Sequence, residues 1–337
     1  MTPFQTLIID TYSTTAGVSF RGLGLSYYHY GKAIGKAPVI LVNHALTGNA
    51  QLTGPQGWWQ ELVGEGKVID TLKYTVLAFN IPGNGSNNAL IEDYQGLHTG
   101  DIAAIFLQAL KQLGVQRLFA LIGGSIGGGI AWEMAAQAPQ LAERLIPIAA
   151  DWKASDWILA NTYIQKQILE HSSNPLRDAR QHAMLLYRNP ESLEWRFNRS
   201  FNEEKNCSNV ESWLHHHGEK LYRRFQLQAY KTMNHLLSTI DIARGGENPI
   251  SLISAISANI HLIAIDSDIF FTPHQDQKTY ALVKPNKENI YFHEISSLHG
   301  HDAFLIEHDK MKALLTSIFS KPIPKTTYES STRTHQQ

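Results

Sequence analysis

Short continuous apolar runs alternate with helically spaced apolar positions from about Val39 to Ala150. Val39-Ile40-Leu41-Val42 and Val76-Leu77-Ala78-Phe79 carry no polar interruption, the pattern of strands buried on both faces. Between Thr99 and Gly114, the residues Ile102, Ile105, Phe106, Ala109, Leu110 and Leu113 follow the spacing of one helix face, and Gly114 is a stop signal. A strand over Leu118–Ile122, a glycine-rich turn, a helix to Ala138 and a strand over Leu145–Ala149 continue the alternation. Such βαβ order predicts an α/β fold with a mostly parallel central sheet and right-handed crossovers.

From Asp151 to about Pro249 the texture changes. Strand-like runs vanish, and Trp157-Ile158, Tyr163-Ile164, Leu221-Tyr222, Phe225 and Leu227 fall at helical spacing among polar residues. The strand pattern returns at Ile260–Ile265 and Ile290–Ile295, followed by a helix expected over Phe304–Phe319. The expected division is a core of residues 1–152 and 253–321, a helical lid inserted at 153–252, and a poorly ordered tail at 322–337, rich in Thr and Ser. No internal repeat is visible.

Composition narrows the function classes. A chain of 337 residues with net charge −1 has room for one large core and offers no general basic surface for nucleic acid. The single cysteine, Cys207, cannot form an internal disulfide and fits a reducing compartment. The first residues lack the basic and apolar regions of a signal peptide, and no run of eighteen apolar residues occurs. A cytoplasmic protein with neither a membrane nor a nucleic-acid partner is expected.

The glycine-rich turn carries the chemistry. Gly123-Gly124-Ser125-Ile126-Gly127 is a G-x-S-x-G pattern between a strand and a helix, the nucleophile elbow of the α/β-hydrolase fold. A serine hydroxyl is a weak nucleophile until an imidazole takes its proton, and the imidazole needs a carboxylate to fix its tautomer. In this fold the order is Ser, acid, His, with the last two on loops after late strands. Asp266 and Asp268 follow the strand ending at Ile265; His299 and His301 follow the strand ending at Ile295. Asp268 lies further into its loop, where it can reach across, and His301 lies nearer the next helix. Placement favours these two and leaves Asp266 and His299 open. Backbone N–H groups for an oxyanion hole are expected at Ile126, directly after the nucleophile, and at Leu46 in the loop after Val39–Asn43.

These motifs together resemble the homoserine O-acetyltransferases of methionine biosynthesis and their acyltransferase relatives. Asn43-His44-Ala45-Leu46-Thr47-Gly48 is similar to the family's H-A-L-T-G loop, and Gly57-Trp58-Trp59 with Gly64-Glu65-Gly66-Lys67-Val68-Ile69-Asp70 to its G-W-W and G-x-G-K-x-x-D segments. Gly123–Gly128 resembles its G-G-S-M-G-G elbow, with Ile126 for Met. Asp266–Phe271 and Gly300–Leu305 resemble S-D-x-x-F and G-H-D-x-F-L. The resemblance implies a triad of Ser125, Asp268 and His301, with Asp302 and Arg180, in the pair Ala179-Arg180, holding an amino-acid acceptor by its ammonium and carboxylate. It also implies a homodimer formed through the lid. Asn80–Ser86 departs from the family's longer loop, and the stretch between Ser125 and Arg180 is shorter.

The implied reaction is ping-pong acyl transfer. Ser125 takes an acyl group from an acyl-CoA co-substrate and passes it to the hydroxyl of L-homoserine, with no resident cofactor and no metal. A serine esterase using the same triad is the alternative; it needs neither Asp302 nor Arg180. His215-His216-His217 is expected to be a solvated helix face, because consecutive helical side chains diverge.

Overall fold

The computed structural model describes residues 4–320. The tail expected at 322–337 lies outside the described residues.

Two strands that the continuous apolar runs do not mark open the chain, β1 (Gln5–Ser13) and β2 (Ser19–Gly31). They form an antiparallel hairpin in which Ile9 is buried between exposed neighbours and Leu25 and Tyr27 are buried where β2 runs beside Thr75–Phe79, as befits an edge with one wet face. The next elements are β3 (Val39–Asn43), the short β4 (Val63–Gly64) and β5 (Ile69–Asp70), β6 (Thr75–Phe79), α1 (Thr99–Gln112), β7 (Ala120–Gly124), α2 (Ile126–Gln137) and β8 (Arg144–Ile148). Every residue of β3, β6, β7 and β8 is buried, which is why these strands read as unbroken apolar runs.

The lid comprises α3 (Asp156–His171), α4 (Pro175–Tyr187), α5 (Pro190–Phe197), a two-residue pairing of β9 (Phe201–Asn202) with β10 (Cys207–Ser208), α6 (Asn209–Tyr222), α7 (Leu227–Ser238) and α8 (Pro249–Ala255). Strand structure therefore does not vanish from this segment, because the turn at 203–206 closes a miniature hairpin. Helix starts follow local chemistry: Ser155 accepts from Ile158 N, and Ser208 with Glu211 forms a capping box. Helix α8 straddles the expected boundary at 252/253 and packs on α2.

The core resumes with β11 (Asn259–Ile265), α9 (Pro273–Val283), β12 (Ile290–Ile295), α10 (Ala303–Ile306) and α11 (His308–Ser320). Helix α9 also packs against α8. The single helix expected over Phe304–Phe319 is broken at Glu307, whose ψ of 57° leaves the helical region. There the Glu307 carboxylate accepts from Ser297 Oγ at 2.7 Å, a loop contact that an unbroken helix would not place.

The main sheet runs β1-β2-β6-β3-β7-β8-β11-β12, antiparallel as far as β6 and parallel beyond it. Its two faces carry alternate residues of each strand. Leu41, Leu77, Leu121 and Leu145 join one apolar cluster with Phe106 and Trp132; Ile40, Val76, Ile122 and Ile146 join another with Trp59, Phe304 and Leu315. The carboxyl ends of β3, β7, β11 and β12 lie side by side or one strand apart, which brings four separate loops to one rim.

Candidate active site

Strand β7 feeds directly into α2 through Ser125, whose φ of 57° and ψ of −129° mark a strained junction. The strain is held by packing. Ser125 N donates to Ile148 O at 2.9 Å, and the Ser125 carbonyl accepts from Gly128 and Gly129. A Cβ at Gly127 would lie 2.5 Å from Asn43 O, so only glycine lets the elbow seat against the loop after β3.

His301 Nδ1 pairs with Asp268 Oδ2 at 2.7 Å, both residues being buried. The other Asp268 oxygen accepts from Phe270 N (2.7 Å) and Phe271 N (3.0 Å), which fixes the carboxylate's orientation. The two residues left open by placement are engaged elsewhere: Asp266 Oδ1 accepts from Ser297 N, and His299 Nδ1 faces Arg188 Nη1 at 3.2 Å. The His301 ring is boxed by Tyr187, Phe270, Phe271 and Phe304 at centroid separations of 5.2–5.7 Å. Phe304 also reaches the elbow, since a Cβ on Gly124 would meet its ring at 2.5 Å. Trp59 Nε1 donates to Phe304 O at 3.1 Å, which makes the G-W-W segment a support for this corner.

Ile126 is the first residue of α2, so its N–H is among the donors a helix leaves without an intrahelical partner. Leu46 is buried on the loop after β3, lining a narrow cavity of about 10 Å³ together with Tyr187, Tyr230, Gln165 and Phe270. This cavity lies beneath α3, α4 and α7 and reaches the aromatic box around His301.

The lid approaches the histidine loop through the end of α4. Gly300 (φ 62°) is so close that a Cβ there would lie 3.0 Å from the Arg188 carbonyl carbon. Arg188 Nε lies 3.4 Å from Asp302 Oδ2. Burial pushes the Asp302 carboxyl up, and the nearby Arg180 and Arg188 guanidinium groups oppose that shift. Arg180 is half-buried with its guanidinium 5.4 Å from the Tyr187 ring; among the described residues it has no hydrogen-bond or ion-pair partner. Tyr187 lies fully inside, and burial raises its phenol to about 12, so it stays protonated at neutral pH. Sequence reasoning singled out neither Tyr187 nor Arg188 as a site residue. Tyr187 lies on the same α4 face as Arg180, seven residues and two turns on, and that spacing was the available signal.

Behind Asp268 sit two further buried carboxyls. Burial raises Asp151 to about 6 despite hydrogen bonds from Trp152 N and Thr279 Oγ1. Burial, then Asp151 and Asp268, push Asp276 well up. A raised acid favours folding in its protonated form, so Asp151's contribution is present below about pH 4 and is lost as pH rises to 6. Asp151→Asn keeps the acceptor oxygen without the charge. Relative to wild type, it should gain about 3 kcal/mol of stability between pH 4 and pH 8 in urea unfolding. A gap that does not change with pH would contradict this.

Among the described residues no cluster of metal-ligating side chains occurs, and no helix is long and apolar enough to cross a membrane. His217 of the histidine run packs edge-on against Trp213.

A serine on a strained strand–helix elbow, with an acid and a histidine following in that order, defines an enzyme of the α/β-hydrolase class. The family model described as alpha/beta hydrolase fold matches residues 38–306. Homoserine O-acetyltransferase of Cyclobacterium marinum is 32% identical over 92% of this chain and 93% of its own length. The crystal structure of homoserine O-acetyltransferase from Staphylococcus aureus superposes with a TM-score of 0.80 at 25% identity, covering 96% of this chain and 97% of that one. Esterase E22 superposes at 0.84 with 15% identity over 95% of this chain and 100% of its own, a likeness of fold alone. The chain belongs to the homoserine O-acetyltransferase family of α/β-hydrolase-fold enzymes and is an acyltransferase.

Proposed function

We propose that this protein transfers an acetyl group from acetyl-CoA to the hydroxyl of L-homoserine, in methionine biosynthesis, through an acyl-Ser125 intermediate. His301 takes the Ser125 proton as Oγ attacks the thioester carbonyl; the Leu46 and Ile126 amides receive the oxyanion. Collapse of the tetrahedral species breaks the C–S bond, and His301 returns the proton to the departing thiolate. His301 then removes the proton of the homoserine hydroxyl, whose oxygen attacks the acyl-serine and releases Ser125.

The observation that carries the acceptor is a half-buried carboxylate, Asp302, and an uncommitted arginine, Arg180, beside His301. Asp302 suits an ammonium and Arg180 a carboxylate, the two charged ends of a free amino acid. The lid closing over His301 supports transfer over hydrolysis, because an acyl-serine open to water is lost to it.

The test follows free CoA and intact mass with acetyl-CoA, with and without homoserine. CoA release that depends on homoserine, with a transient acetyl adduct, is expected; release indifferent to homoserine, with rapid ester hydrolysis, would make the protein an esterase. Asp302→Asn should raise the KM for homoserine about 10- to 100-fold while leaving the acylation burst intact. Equal loss in both half-reactions would remove Asp302 from acceptor binding.

A further inference from the structure

His44 is completely buried, and its ring is fastened on both sides. Nδ1 lies 2.8 Å from the Ala45 carbonyl, which can only accept, so Nδ1 carries the proton. Nε2 accepts from the Ile81 backbone N–H at 3.0 Å and lies 3.2 Å from Asn84 Nδ2. The Asn84 amide is oriented by its other end, whose Oδ1 accepts from Ser86 N at 3.0 Å. Two donors therefore face Nε2, and a proton there would have no acceptor. Burial agrees, lowering His44 to about 4. The imidazole is neutral and held in one tautomer.

That tautomer matters because of the peptide it grips. The Ala45–Leu46 peptide is trans, so the Ala45 C=O and the Leu46 N–H point in opposite directions from one rigid plane. Fixing the carbonyl fixes the amide. Gly48 N adds a second bond to the same oxygen at 2.9 Å. The loop's far end is tied to the same neighbour, because Ala50 N donates to Asn80 Oδ1 at 2.8 Å and Asn80 Oδ1 also accepts from Ser86 Oγ. Asn80–Ser86, the segment that departs from the family pattern, thus forms the bed on which the H-A-L-T-G loop rests.

We infer that His44 is a positioning residue for the oxyanion hole: clamped as its neutral Nδ1–H tautomer by Ile81 and Asn84, it aims the Leu46 amide through the Ala45–Leu46 peptide plane. This rests on the reading of Leu46 as an oxyanion donor and is independent of which acceptor takes the acyl group.

Two isosteres separate aiming from filling space. In His44→Asn the side-chain NH2 overlays Nδ1 and keeps the bond to Ala45 O. In His44→Gln the side-chain oxygen overlays Nε2 and keeps the bond from Ile81 N while losing the grip on Ala45. The readout is the burst of Ser125 acylation by p-nitrophenyl acetate, which needs no acceptor, together with a thermal melt. The Gln variant should lose about 10- to 100-fold in the acylation rate constant with KM unchanged, less than a wholly deleted oxyanion donor because Gly48 remains. The Asn variant should recover most of that loss. Equal losses, a loss confined to KM, or Gln outperforming Asn would overturn the inference. Should both fold poorly, Asn84→Leu removes one clamp from the Nε2 side of the ring and should lower the same rate constant several-fold; an unchanged rate there would also overturn it. Absence of any acylation in the wild type would instead refute the acyl-serine mechanism itself.

Discussion

Ser125→Ala should abolish the acetyl adduct and lower turnover by roughly 10⁶-fold, the scale on which a triad nucleophile acts. The loss would be chemical rather than structural. Alanine keeps the Cβ already tolerated at φ 57°, and the bond from residue 125 N to Ile148 O belongs to the backbone. The Asp268–His301 pair does not depend on the hydroxyl either. Circular dichroism and the thermal midpoint should therefore match wild type while intact mass shows no 42 Da shift, the calculated mass of an acetyl replacing a hydrogen (about 42). An adduct that persists would place the nucleophile elsewhere.

Asp268→Asn should lower acylation about 10⁴-fold at neutral pH with the fold retained. The argument turns on which end of the amide faces which neighbour. The Phe270 and Phe271 N–H groups both donate to one oxygen, so the asparagine oxygen must stay there. Its NH2 then faces His301 Nδ1 and forces that nitrogen to accept. The imidazole proton moves to Nε2, the atom that has to receive the Ser125 proton. The base is present but in the wrong tautomer. Burst kinetics read the effect, and a loss below tenfold would show that Asp268 does not set the tautomer.

The parts legible in the sequence are those where local pattern and tertiary environment agree. Strands buried on both faces announce themselves as Val39–Val42 and Val76–Phe79, because no solvent-facing position interrupts them. Ser125 was legible because the elbow compresses its chemistry into five residues. The hairpin of β1 and β2 was not, because its one wet face mixes Asp10, Arg21 and Ser residues into the apolar pattern. Placement favours Asp268 over Asp266 only by its deeper position in the loop, and hydrogen bonding separates them, Asp268 pairing with His301 and Asp266 accepting from Ser297 N. Arg188 illustrates a harder limit. Its ion pair with Asp302 spans 114 residues of chain, and nothing in either local segment encodes the other (188 to 302). The break at Glu307 was hidden for the same reason, its partner being Ser297 in the loop before it.

Ser125, Asp268, His301 and the loop of Leu46 belong entirely to the sheet and its rim, whereas Arg180, Tyr187 and Arg188 come from a single helix, α4, and the residue after it. On the proposed reaction, loading Ser125 draws on the first group, and choosing what receives the acyl group draws on the second together with Asp302 of the histidine loop. The two halves of the reaction thus rest on different stretches of chain that meet at His301 and Asp302. On that reading, substitutions at Arg180 should alter acceptor use while sparing the loading of Ser125, whereas Tyr187, packed on His301, serves both. The same division lets a chain drift at its lid without surrendering its nucleophile.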